Sequence, residues 1–203
     1  MTNILFVSAS PRNAESVSRV YEHHARRALA QKFPDATITN VDLATEKLSF
    51  VDETWFTWNY APDQRHTLTP EQHAQATRDS QLADQLLAAD YVVISSPVYN
   101  FNVPAALKAW IDHVVISGKT FKTESGKPVG LTTNVKDLIV ISASGGPLDV
   151  YTDMGVDAFR TGLRGFVWYT GIQKMSHFGF IGRNDQHNTT EQTKLVEHIE
   201  NLG

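Results

Sequence analysis

Short, continuous apolar runs recur along the chain: Ile4 to Val7, Val92-Val93-Ile94 within Tyr91 to Ser95, and Leu138 to Ile141 within Asp137 to Ala143. Runs of this length fit strands buried on both faces of a parallel sheet. Thr37 to Leu43 alternates apolar and polar positions, the pattern of a strand with one wetter face. A fifth strand is predicted around Ile172 to Phe178.

Segments with helical period lie between these runs. Ser16 to Lys32 places Val17, Val20, Tyr21, His24, Ala25, Ala28 and Leu29 on one stripe. Thr69-Pro70-Glu71-Gln72 opens a helix to about Ala88, with Thr69 as N-cap, Pro70 in the first turn and Gln72 completing a capping box. Pro104 to Ile116 spaces Leu107, Trp110, Ile111, Val114 and Val115 as a helix, its tryptophan stripe read as core or subunit interface. Further helices are predicted over Asp153 to Val167, and from a Thr189 cap with Gln192 to about Leu202. Lys119 to Leu131, with Ser125-Gly126, reads as a hairpin-like excursion. Residues 44–68 read as a long irregular segment that holds Trp55, Phe56, Trp58 and Tyr60.

Strand and helix thus alternate over residues 1–203 with no internal repeat and no linker, which predicts one α/β domain with a parallel sheet covered on both faces. If the strands run in the order 2-1-3-4-5, the loops after the first, third and fourth strands lie side by side at the switch point, where ligands bind.

Those three loops carry different chemistry. After the third strand, Pro97 cannot donate to a sheet ladder and ends it, and Pro104 opens the next helix. Between them, Val98, Tyr99, Asn100 and Phe101 form an aromatic and amide shelf for a flat ligand. The first loop, Ser8 to Ser18, sets the hydroxyls of Ser10, Ser16 and Ser18 at a helix N-terminus, where free N–H groups favour a phosphate. It contains no Gly-Lys-Ser/Thr and no Gly-x-Gly-x-x-Gly, which disfavours a nucleoside triphosphate or a dinucleotide fold. The third loop, Ser142 to Pro147, has Gly145 and Gly146 for close backbone approach. A monophosphate joined to a flat ring, flavin mononucleotide (FMN), suits all three.

Composition narrows the field. Of 203 residues 41% are hydrophobic and 20% charged, a globular balance, and the net charge of −4 with scattered basic residues shows no footprint for nucleic acid. The complete absence of cysteine removes disulfides, thiolate nucleophiles and cysteine-ligated clusters. The short apolar start lacks a basic flank, and no apolar stretch reaches membrane-spanning length, so a cytoplasmic protein free of membrane is the expectation. None of the eight histidines has metal-ligand spacing, so no metal is expected. His113 and His177 fall nearest the expected ligand edge.

The chain resembles the FMN-dependent NADH-azoreductases and related NAD(P)H:quinone oxidoreductases. The resemblance rests on Ser10-Pro11-Arg12 with Ser16-Val17-Ser18, on Pro97-Val98-Tyr99-Asn100-Phe101-Asn102, on Gly118-Lys119-Thr120-Phe121 and on Ala143-Ser144-Gly145-Gly146. It implies a flavodoxin-like, doubly wound five-stranded parallel sheet and a homodimer with active sites at the interface. It also implies bound FMN, NADH or NADPH as co-substrate, and two-electron transfer to a quinone or azo compound. The implied FMN contacts are Ser10, Ser16, Val17, Ser18, Pro97, Val98, Tyr99, Asn100, Phe101, Ala143, Ser144, Gly145 and Gly146. With the chemistry on the cofactor, no protein acid, base or nucleophile is called for.

Three departures stand out. Ser144 replaces an arginine common in relatives, Glu15 puts a carboxylate into the phosphate loop, and the Trp55–Tyr60 segment is unusually aromatic. Asn100, Phe121, Trp55 and Trp58 are candidates for an acceptor pocket, with simple anchoring of a long loop as the competing role of the two tryptophans. Two other functions compete. One is a flavodoxin-type electron carrier without turnover; the other, a hydrolase acting on phosphopantetheine-type esters, lacks a Gly-x-Ser-x-Gly elbow and a cysteine nucleophile.

Overall fold

A computed structural model describes all 203 residues except Asn13, Ala14, Lys47 and Arg183. In chain order its elements are β1 (Asn3–Ser8), α1 (Val17–Lys32), β2 (Thr37–Asp42), α2 (Glu53–Tyr60), α3 (Pro70–Ala88), β3 (Tyr91–Pro97) and α4 (Ala105–Val114). There follow the hairpin β4 (Phe121–Glu124) and β5 (Lys127–Gly130), then β6 (Asp137–Ser144), α5 (Leu148–Asp153), α6 (Ala158–Thr170), β7 (Met175–Ile181) and α7 (Asp185–Glu200). Five strands form one sheet in the order β2-β1-β3-β6-β7, every neighbouring pair parallel. With the separate hairpin set aside, this is the predicted 2-1-3-4-5 order.

Alternation of side chains along each strand divides the apolar runs between two cores. Leu5, Val7, Val92, Ile94, Leu138 and Val140 meet α3, α4 and α6 on one face. Ile4, Phe6, Tyr91, Val93, Ile139 and Ile141 meet α1 and α7 on the other. Crossovers between parallel strands are right-handed, so the helix face follows the direction of travel across the sheet. The step from β1 out to β2 puts α1 on one face, and the steps back through β3, β6 and β7 put α3, α4 and α6 on the other. Among the described residues no helix is long and apolar enough to cross a membrane.

The predicted capping box is present: Thr69 Oγ1 accepts from Gln72 N–H, and Gln72 Oε1 accepts from Thr69 N–H at 2.8 Å. Pro97 ends β3, and Trp110 is fully buried in the core. Other boundaries differ from expectation. The segment at 44–68 is irregular only in its first part: Asp52 caps α2 by accepting from Trp55 N–H at 2.9 Å, and a 3₁₀ turn spans Pro62–Thr67. The single helix predicted over Asp153 to Val167 is two, α5 and α6, broken where Gly155 adopts φ +71° and Asp157 caps the second. The last strand sits three residues further on than predicted, because its register on β6 begins at Leu138 opposite Met175. The final helix starts at an Asn184 cap, and Thr189 bonds back to the Asp185 carbonyl at 2.8 Å inside it. Pro104 is the N-cap of α4, which ends at Val114. On α1 the predicted stripe is rotated: Val20 is exposed, while Ser18, Glu22, Ala25, Ala28 and Leu29 are buried.

The hairpin is seated by two glycines. A Cβ on Gly130 would lie 2.1 Å from the backbone nitrogen of Gly171, whose left-handed φ of +82° ends α6. Backbone cannot swing aside as a flexible side chain can. Gly130→Ala should therefore destabilise the protein by about 3 kcal/mol, the upper part of the range for overpacking, read from the midpoint shift of urea unfolding.

Candidate functional site

The first loop leaves β1 at Ser8 and reaches α1 at its N-cap, Ser16. Ser16 has extended backbone angles but its hydroxyl does not cap the helix; it lies 3.1 Å from the hydroxyl of Ser18 instead. The first-turn N–H groups of α1 thus keep their positive end for another acceptor. Ser10, Ser16 and Ser18 are all buried. Arg19 stiffens the loop, donating to the Ser10 carbonyl at 2.8 Å and to Asp42 at 2.6 Å. Glu15 does not intrude: it pairs with Arg12 at 3.0 Å, both side chains well exposed. Asn13 and Ala14, inside the predicted loop, lie outside the described residues.

Beneath this loop Glu22 forms a buried knot that the sequence reading missed. Its carboxylate accepts from Ser8 Oγ at 2.7 Å, from Ser95 Oγ, and from Arg26 Nε at 2.8 Å. One side chain of α1 is thereby tied to the ends of both β1 and β3. No apolar period marks such a residue, and only its partners from two strands identify it.

The second loop is a two-residue turn. Tyr99 and Asn102 exchange backbone hydrogen bonds of 3.0 Å, and the residues between them, Asn100 and Phe101, have φ of +48° and +68°. This is the turn that ordinarily takes Asn-Gly. The β4–β5 hairpin makes the same turn with Ser125 and Gly126 at +51° and +75°. Phenylalanine in the glycine position costs about 1–2 kcal/mol of backbone strain. Such strain persists where surrounding structure over-determines it, as functional loops often require.

The third loop follows β6. Val98 N–H donates to the Ala143 carbonyl and Ala9 N–H to the Ser95 carbonyl, each at 2.8 Å, so the three loops are laced edge to edge. Gly145 and Gly146 have no left-handed φ, and a Cβ on either would touch nothing within 4 Å. Neither the chain's path nor its packing demands glycine there, and the open space is available to a ligand.

Together the loops line a crevice of about 200 Å³. It gathers the predicted Ser10, Ser16, Val17, Pro97, Val98, Tyr99, Ala143, Ser144 and Gly145, and adds Arg12 and Gly182. Ser18, Asn100, Phe101 and Gly146 belong to the same loops but stand outside this lining. None of the candidates for an acceptor pocket lines it, and of the four only Asn100 sits in one of its three loops. Trp55 is buried against the core, Trp58 lies under the Arg65 guanidinium at 4.7 Å, and Phe121 packs on Tyr169 with ring centroids 4.5 Å apart. His113 is likewise remote in role, fully buried with Nε2 on the Ser49 carbonyl at 2.7 Å.

His177 lines a smaller polar recess that shares Ser144 with the crevice and also includes Arg160, His187 and Glu191. Its Nε2 lies 2.8 Å from Ser142 Oγ. Burial, reinforced by the Arg160 charge, lowers its pKa from 6.5 to about 4. The unfolded chain therefore binds a proton near pH 6.5 that the folded protein refuses until about 4. The contribution of this group to stability should fall as pH drops through that window, by of order 3 kcal/mol. His177→Gln should flatten this part of the pH profile in urea unfolding measured from pH 7.5 to 4.

Comparison with known proteins adds to the geometry. The flavodoxin-like fold family matches residues 2–202. FMN-dependent NADH:quinone oxidoreductase 1 of Colwellia psychrerythraea is 36% identical over 199 residues, covering 97% of this chain and 100% of that protein. The FMN-dependent NADH:quinone oxidoreductase of Agrobacterium fabrum is 41% identical over 147 residues, 71% of this chain and 70% of its own. The crystal structure of an azoreductase from Bacillus anthracis superimposes with a TM-score of 0.89 at 25% identity, over 100% of both chains. This chain belongs to the flavodoxin-like family that includes the FMN-dependent NADH:quinone oxidoreductases.

Proposed function

We propose that this protein binds FMN in the three-loop crevice and is an oxidoreductase that carries two electrons from NADH or NADPH to quinones or azo compounds. The carrying observation is one crevice with an uncapped helix N-terminus and buried serines at one end, and a locked aromatic turn with two unrequired glycines at the other. Family membership supports the same reading.

When bound, FMN would supply the hydride chemistry, accepting from the nicotinamide and donating to the acceptor. The protein's part is to hold and to exclude. Ser10, Ser16, Val17 and Ser18, through hydroxyls and first-turn N–H groups, would take the phosphate dianion without a basic cluster. Pro97, Val98, Tyr99, Asn100 and Phe101 would bound the ring on one side, and Ala143, Ser144, Gly145 and Gly146 on the other. Backbone N–H groups of these loops are fixed before the ligand arrives, so they stabilise negative charge there without reorganising. Donor and acceptor would both meet the ring in this crevice and occupy it in turn, which makes the kinetics ping-pong.

Changing both Ser16 and Ser18 to alanine should weaken FMN binding at least tenfold, since hydrogen bonds to a charged group contribute about 1.5–3 kcal/mol each. Quenching of flavin fluorescence measures it, with unchanged far-UV circular dichroism as the control for folding. NADH should bleach the flavin absorbance of the loaded protein anaerobically, and a quinone should restore it. A protein that stays oxidised under excess NADH and NADPH is an electron carrier and not this enzyme.

The crevice is smaller than the roughly 300–1,000 Å³ typical of ligand pockets, so a lone protomer would leave part of an FMN-sized ligand in water. Tyr99 and Phe101 are 43% and 45% exposed, and Val150 on α5 and Met154 at its C-cap are exposed as well. A homodimer that covers this rim completes the reading, with acceptor sites shared between subunits. Trp55 and Trp58 would then anchor α2 as a wall whose exposed Phe56 and Tyr60 face the partner, with Phe121 as support and Asn100 contacting the acceptor. Light scattering should give twice the chain mass of 22.6 kDa. Full activity from a monomer at the same concentration would overturn the shared site.

A further inference from the structure

The aromatic turn does not hold itself. Phe101 occupies a left-handed position that its twin at Gly126 leaves to glycine, and an isolated loop would relax out of it. Two contacts hold it from outside: the Phe101 carbonyl accepts from Phe159 N–H at 2.9 Å, and its ring meets Tyr151 edge to face at 5.1 Å and 88°. Both partners lie on the α5–α6 segment. That segment is poorly fitted to act as a clamp by local preference, since α5 has only six residues and the break after it passes through Gly155 at φ +71°. Short helices are marginal without tertiary support.

Arg160 supplies that support. Its guanidinium bonds Asp149 at 2.8 Å on α5, Thr152 Oγ1 on the same helix, and Asp157 at the cap of α6. Asp157 in turn accepts from the Arg160 backbone N–H and from Thr152 Oγ1, each at 3.0 Å. The side chains of Arg160 and Asp157 are only 15% and 8% exposed, so the brace is largely shielded from water. Arg160 follows Phe159 directly, which places the brace one peptide from the donor that pins the turn. Its guanidinium is absent from the lining of the three-loop crevice.

We propose that Arg160 is a positioning residue: by bracing α5 against α6 it holds the Tyr99–Asn102 turn in its strained shape, and through the turn it sets the affinity of the crevice for FMN. The second half of this rests on the FMN reading above; the first does not. The test begins with the apo-protein and amide hydrogen exchange at Tyr99 and Asn102, whose N–H groups close the turn. Arg160→Gln should speed exchange there at least tenfold while the amides of β1 and β3 keep their protection. In a Phe101→Gly background, where glycine takes the left-handed angle unaided, the same change should have little effect on those amides. Asp149→Ala, which removes the exposed outer contact alone, should act in the same direction but less, and serves if Arg160→Gln fails to fold. Unchanged exchange at the turn, or an equal effect with Phe101 and with glycine, overturns the brace. The second readout is FMN affinity, expected to fall at least tenfold in Arg160→Gln and to depend on Phe101 in a double-mutant cycle. If the turn loosens but affinity does not move, the link to the cofactor is wrong. If the unaltered protein binds no FMN, the functional reading fails while exchange still decides the brace.

Discussion

The site exists because the chain reverses its direction across the sheet between β1 and β3. A right-handed crossover to the left puts its helix on one face and a crossover to the right puts it on the other. Adjacent strands β1 and β3 therefore send α1 and α4 to opposite faces, and their carboxyl ends separate into a crevice. Nothing in the loops opens it; the loops decorate an opening that the winding of the sheet makes unavoidable. The third loop joins because β6 lies on the far side of β3, with Ala143 and Val98 linked across the gap.

What fills such an opening depends on how its donors are held. The first loop of this chain presents hydroxyls and peptide N–H groups, the donors we propose for a phosphate, rather than a cluster of lysines or arginines. Fixed dipoles need rigid mountings, and Glu22 provides one. Its buried carboxylate binds side chains from β1, β3 and α1 itself, while Arg26, which completes the knot, lies over the Phe6 ring at 3.7 Å. An unpaired buried charge would be costly, but here three donors meet it, and the result locks the first turns of α1 to the strand ends.

Strain is concentrated where the ring of a flat ligand would rest. Among the described residues a second turn of the same shape, exposed, has glycine at its second left-handed position, Gly126. The turn at Asn100-Phe101 has phenylalanine there, and it is held by a carbonyl bond and an aromatic contact from α5–α6. An aromatic side chain at that point is retained against the backbone's preference, which fits a surface made for binding more than for folding.

Periodicity alone determined the strands buried on both faces, the alternating element order and hence a doubly wound parallel sheet, because those features come from residues next to one another in sequence. The capping box at Thr69 and the stop at Pro97 were legible for the same reason. Loop chemistry was legible as far as the serines, the aromatic turn and the glycines. Tertiary structure decided what local signals leave degenerate. Crowded aromatic residues concealed the helix α2, whose start is marked by Asp52, and Trp55 went to the core because α2 packs its indole inward. The true face of α1 turned on Glu22, a polar residue buried only because Ser8 and Ser95 arrive from strands distant in sequence. The left-handed pair at Asn100 and Phe101 was likewise invisible, since no local preference places phenylalanine there; contacts from residues some fifty positions later impose it.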